Sequence, residues 1–370
     1  MAYGSINADT LVTSTSGGIL GAGNASIMKN RIINGAMVID QRNAGASVTL
    51  SATTGQYTLD RFYFNASQAS KLTVQQSTTT TTGFYNSLVV TVASAATIGA
   101  GDYFTMNQLI EANNTSDFAF GTANAKIVTL SFWVRSSITG TFVCALLNSA
   151  LNRSYLATYT ISAANTWEQK SITIAGDTTG TWVAGGNGVG VAVRFDFGSG
   201  SGGMGTANTW QTGNLWSVSG SASSTFAAQS GATFYITGVQ LEVGSSATGF
   251  EYVNYQTSLA NCQRYYEKSY STDVVPATST FTGAVHYQWA TSTNSMGASW
   301  TFKVEKRTAP TVTVWDATGG GTPTAGTVYK GGYGKAVANN TPSTSQGYIS
   351  TTDSTSAAEF AFQWVASAEL

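Results

Sequence analysis

The chain has 370 residues and a formal net charge of −1, with only 9% of residues charged, 42% hydrophobic and 12% aromatic. Such near-neutrality, with no long Lys or Arg run, excludes the electrostatic footprint of a nucleic-acid or anionic-membrane partner, and the apolar content excludes a wholly disordered chain. The length exceeds the usual single domain, which predicts two domains and a terminal segment.

In chain order, residues 1–29 are small and polar with isolated Ile and Leu, so they form no core alone and read either as a disordered tail or as an attachment arm lying against another protein. They carry no basic stretch followed by an apolar run, and no segment anywhere is apolar enough to span a bilayer, so the expectation is synthesis without a signal peptide and no membrane insertion. Residues 30–253 hold recurring short runs rich in β-formers: 57–64, 71–76, 87–93, 126–136, 141–147, 155–162, 168–175, 188–197 and 233–243. Alternation sets Leu130, Phe132 and Val134 on one face, and Val189, Val191, Val193 and Phe195 opposite Gly190, Ala192 and Arg194. With turn residues between the runs and no helical pattern, the fold class is all-β, a jelly-roll or related antiparallel sandwich. Trp133 reads as core from its strongly apolar surroundings, and residues 198–231, full of Gly and Ser, read as a long loop at one end of the sandwich. The Thr-rich stretch 78–82 reads as a strand edge or hairpin connection.

Residues 254–270 form a short helical connector, with Leu259, Cys262 and Tyr266 on one face and Thr257 or Ser258 as N-cap. Residues 271–370 then form a smaller β-domain, with strands at 281–289, 296–304, 311–317, 327–329 and 359–365. Cys144 and Cys262, the only cysteines, are expected to be reduced and buried.

The chemistry on offer is sparse. His286 is the only histidine and has no acidic neighbour in sequence, which argues against Ser-His or Cys-His catalysis and against a zinc cluster. Asp60, Asp102, Glu111, Asp117 and Asp196 are scattered, near strand ends where solvated carboxylates are ordinary, and no spacing singles out a glycosidase pair; no catalytic residue is assigned. Sugar recognition needs flat rings plus amides and hydroxyls, and this sequence is rich in all of them. The rings expected to be exposed in loops, hence the glycan-contact candidates, are Trp182, Trp210 and Trp216 in the first domain and Trp315, Tyr329, Tyr333 and Tyr348 in the second, the last four presenting a receptor-binding tip.

Several segments resemble a widespread group of tail-fibre proteins of tailed bacteriophages. They are Asn30-Arg31-Ile32-Ile33-Asn34-Gly35-Ala36-Met37 with Asp40-Gln41-Arg42, Tyr57-Thr58-Leu59-Asp60-Arg61-Phe62, the runs 130–135 and 236–244, Cys262-Gln263-Arg264-Tyr265-Tyr266-Glu267-Lys268, Lys306-Arg307-Thr308-Ala309-Pro310-Thr311-Val312 and the ending Ala366-Ser367-Ala368-Glu369-Leu370. The resemblance implies a carbohydrate-binding-module-like jelly roll, a virion location in the phage tail and a homotrimer. It also implies attachment to another virion protein through residues 1–29 and adhesion to a host surface polysaccharide. The alternatives are a purely structural head-decoration or tail-connector protein and, third, a glycan depolymerase. No cofactor is expected beyond the structural calcium that such jelly rolls often hold with Asp and backbone oxygens.

Overall fold

Period-two alternation, strongest in the runs 130–134 and 191–195, is what a sheet with one buried face requires, and two such sheets account for the first domain. The structure, a computed structural model, describes residues 11–12, 19–20, 28–293, 296–317, 323–332, 334–351 and 357–370. Most of the proposed arm 1–29 lies outside the described residues; within it the backbone of Leu11–Val12 pairs antiparallel with Ile19–Leu20.

The first sheet has seven strands in the order Trp210–Thr212, Arg153–Ile161, Gly140–Asn148, Val189–Ser199, Tyr103–Glu111, Tyr63–Ala66 and Thr53–Tyr57. The second has six, in the order Glu168–Ile174, Val128–Ser136, Thr233–Val243, Ser87–Val92, Leu72–Ser77 and Val48–Thr49. Both are antiparallel throughout, as expected of a jelly-roll-type sandwich. Leu130, Phe132 and Val134 of the second sheet bury against Phe142, Cys144 and Phe195 of the first. Phe132 meets Phe195 edge-on with ring centres 5.3 Å apart, and Phe197 meets Phe234 at 4.9 Å. Burial pushes the Cys144 thiol well above its usual range, so it packs as a small apolar group. The 78–82 stretch joins the paired strands Leu72–Ser77 and Ser87–Val92 as a hairpin connection.

The structure departs from three expectations. Trp133 is only half-buried, because it shares the outward parity of Arg135 while Phe132 and Val134 take the core side. Val189 departs from its predicted face because a register shift between Val189 and Val191 breaks the alternation. The segment 198–231 does not hang from one end of the sandwich. It contains the strand Trp210–Thr212 and a buried turn at Ser223–Ala228, and lays Leu215, Trp216 and Val218 over Val143, Ala145, Leu147, Leu156 and Ala192 on the outer face of the seven-stranded sheet.

The connector is one α-helix, Tyr255–Gln263, capped by Asn254, whose side chain accepts from the Thr257 N–H, rather than by Thr257 or Ser258. The chain then turns into a strand, Tyr266–Lys268, paired with the final strand Ala357–Ser367. That long final strand also pairs with Val285–Thr293, Thr311–Asp316 and Thr327–Lys330, and a three-stranded sheet of Met296–Thr301, Gln346–Thr351 and Asn339–Asn340 completes the second domain. Its core gathers Val314, Val328, Ile349, Phe360, Phe362 and Trp364, with Trp300 stacked on Trp364 at 5.4 Å.

Candidate functional site

In the seven-stranded sheet the parity that buries Phe64, Met106, Val193 and Phe195 turns Tyr63, Asn65, Tyr103, Thr105, Ala192 and Arg194 to the outer face. The 198–231 segment covers the part of that face that carries Val143, Ala145, Leu147 and Asp196. What remains open, from the edge strand Thr53–Tyr57 inward, is a cleft of about 530 Å³. Its rings are Tyr57, Tyr63, Tyr103 and Trp216, and its polar groups are Asn65, Thr105, Asn148, Ser149, Arg194 and Asn214. No Asp or Glu side chain lines it. Trp216 stands edge-on to Tyr103 at 6.4 Å and sits beside the Arg194 guanidinium, 5.4 Å from its ring centre.

Arg194 is only 6% exposed. Its Nε donates to Asn107 Oδ1 at 2.7 Å and its Nη1 to Asn214 Oδ1 at 2.9 Å, so two neutral carboxamides hold it and no carboxylate pairs with it. Burial pulls the guanidinium below its ordinary pKa, opposed by Tyr63, and an arginine nevertheless keeps its charge at neutral pH. Two residues along the same strand, Asp196 faces the covered part of the sheet. It accepts from the hydroxyls of Ser217 at 2.7 Å and Ser223 at 2.9 Å and from the Gly198 N–H at 3.0 Å, which ties both ends of the covering segment to the sheet. Burial raises this carboxyl to a pKa of about 6 against those three hydrogen bonds.

Of the rings singled out in the sequence, Trp216 alone lies in the cleft. Trp182 and Trp210 are half-buried in an aromatic cluster instead, 5.4 Å from one another and 4.9 and 5.7 Å from Phe120. Their indole N–H groups donate to Asp177 and to the Ala175 carbonyl, so both serve packing. Trp315, Tyr329 and Tyr348 lie in strands rather than loops, and of the three only Tyr348 is exposed, at 41%. Tyr333 and the loop positions 318–322 lie outside the described residues. Missed in the sequence were Tyr57, Tyr63, Tyr103, Arg194 and Asn214. The signal was there in Tyr63-x-Asn65 and Tyr103-x-Thr105, a ring followed by an amide or a hydroxyl at period two opposite apolar residues.

The scattered acids fall differently from expectation as well. Asp60, Glu111 and Asp196 are 1–2% exposed rather than solvated, while Asp117 is exposed and pairs with Arg31 at 2.7 Å. Asp102 accepts from Ser67 and Gln68, which hold it below its usual carboxylate value. His286 meets Glu359 across the paired strands at 2.8 Å. Among the described residues no three His, Cys, Asp or Glu side chains gather to hold a metal. Among the same residues no helix is long and apolar enough to cross a membrane.

No protein-family model and no curated protein matches the chain. Among solved structures, the enzymatically active domain of bacteriophage CBA120 tailspike protein 4 aligns at a TM-score of 0.30 and 13% identity, over 58% of this chain and 22% of that one. The chain thus spans less than a quarter of that tailspike domain's length. TmCBM61 in complex with beta-1,4-galactotriose aligns at 0.29 and 9% identity over 58% and 99% of the two chains. A family 11 carbohydrate-binding module from Clostridium thermocellum aligns at 0.26 and 11% over 54% and 96%. At those scores the superpositions carry no argument about what the cleft binds.

Proposed function

We propose that this chain is a non-catalytic glycan-binding protein, an adhesin of a tailed-phage particle that grips a host surface polysaccharide. The observation that carries the reading is the cleft. Aromatic rings able to meet the C–H side of a pyranose line it beside amides and hydroxyls suited to sugar hydroxyls, and no Asp or Glu pair lines it for acid–base cleavage. The sequence segments that resemble tail fibres support the virion setting. A symmetric assembly, a trimer in the resembled group, would multiply a weak single site by raising its effective concentration.

A structural role in head decoration or at a tail connector is the second reading. It is favoured by the exposed rings of Tyr85 (78%), Tyr252 (63%) and Tyr255 (49%) beside Val253, an apolar surface of the kind that another chain ordinarily covers. Binding of the labelled protein to candidate host cells, before and after enzymatic stripping of their surface polysaccharide, separates the two. Adhesion predicts binding that stripping abolishes; a folded protein that binds no host surface contradicts it.

A further inference from the structure

Among the described residues Arg194 forms no ion pair, although the chain terminus at Leu370 also lines the cleft. Arg194 is more than nine-tenths buried, and only two of its five N–H donors are committed to protein acceptors, both neutral. A buried charge ordinarily has a partner of opposite sign. The nearest acid along the strand cannot serve, since Asp196 spends both oxygens on Ser217, Ser223 and Gly198. Three arginines at the domain boundary do have such partners: Arg42 and Arg61 meet Glu369, and Arg264 meets Glu111. Asn107 and Asn214 fix the guanidinium from two sides, and the Trp216 ring beneath it restricts it further, so little rotamer freedom is left to lose when an anion arrives.

We infer that the cleft recognises an acidic glycan, with Arg194 as the residue that receives a sugar carboxylate. The inference rests on the cleft being a glycan site, and it adds the class of sugar. A uronate or sialate carboxylate would accept the free guanidinium N–H groups while its ring lies against the neighbouring aromatics. A neutral sugar would leave the cation desolvated and unpaired, which weakens its binding relative to the acid.

The test uses the intact protein and three acidic polymers, polygalacturonate, hyaluronan and polysialate, each beside its carboxyl-reduced form, titrated calorimetrically at matched ionic strength. The expected result is that at least one acid form binds about ten- to a hundred-fold more tightly than its reduced counterpart, a range matching a hydrogen bond to a charged group. Arg194→Gln should erase that preference. Should the variant fail to fold, the wild-type comparison decides alone. Equal affinity for acid and reduced forms overturns the inference while leaving the glycan reading intact. Absence of binding to every polymer, together with no binding of neutral oligosaccharides, overturns both.

Discussion

Arg194 and Asp196 stand two residues apart on one face of the strand Val189–Ser199, and burial acts on both with opposite consequences. Arginine keeps its charge when buried, so Arg194 stays a cation aimed at the cleft, whereas a carboxyl yields by taking up a proton. With its pKa raised to about 6 from the ordinary aspartate value of 3.8, Asp196 holds its proton in the folded chain over a range where the unfolded chain has lost it. The stability this contributes is fully present below about pH 4 and is lost as pH rises through 6, amounting to at most about 3 kcal/mol. Asp196→Asn removes the titration. We therefore expect the melting temperature of the variant, relative to wild type, to rise steadily between pH 4 and 6.5. A difference that stays constant across that range would show that Asp196 is not held neutral by burial.

At the scale of elements, the strands were legible because their alternation is a direct imprint of one buried face. The runs around Phe132 and Val193 needed only period two to place them. The segment 198–231 was not legible, for a physical reason. Its Gly and Ser content signals backbone freedom and says nothing of where Leu215, Trp216 and Val218 will land, because their partners Val143, Ala145 and Leu147 belong to a strand far away in sequence. Glycine there serves close approach: a Cβ on Gly203 would fall 2.4 Å from the Trp216 ring, so only Gly lets the turn pack against that indole. Composition also suggested exposed rings in loops, but Trp182 and Trp210 are more valuable to the fold as a packed cluster over Phe120. The cleft itself was hidden in the polar parity of strands whose apolar parity drew attention.

Across the whole molecule, most of the segments that resemble tail fibres meet in one buried network between the two domains, while the runs 130–135 and 236–244 stay in the sandwich. Gln41 donates to Asp60 at 2.8 Å and to the Tyr266 carbonyl at 2.9 Å. Arg42 and Arg61 share Glu369 and lie over the rings of Tyr266 and Tyr265 at 3.7 and 3.5 Å, and Lys306 pairs with Glu267, both side chains fully buried. Arg307 reaches the carbonyls of Ala368 and Asn187, one in each domain. Breaking a buried pair by removing one partner costs about 3–5 kcal/mol, since the other charge is left desolvated. Glu369→Gln should accordingly lower the melting temperature and split a single calorimetric transition into two, one per domain; an unchanged single transition would mean that the network does not couple them. The clamp holds Leu370 beside Tyr57, whose hydroxyl donates to the Leu370 main-chain oxygen, so the second domain forms part of the cleft's rim. If the cleft, and not the rings of the second domain, holds the glycan, calorimetric titration of oligosaccharides from the host polysaccharide into wild type, Trp216→Ala and Tyr348→Ala will separate the two surfaces. Trp216→Ala should weaken binding about tenfold or more at an unchanged fold while Tyr348→Ala binds as wild type; full binding by Trp216→Ala with loss in Tyr348→Ala would move the glycan to the second domain.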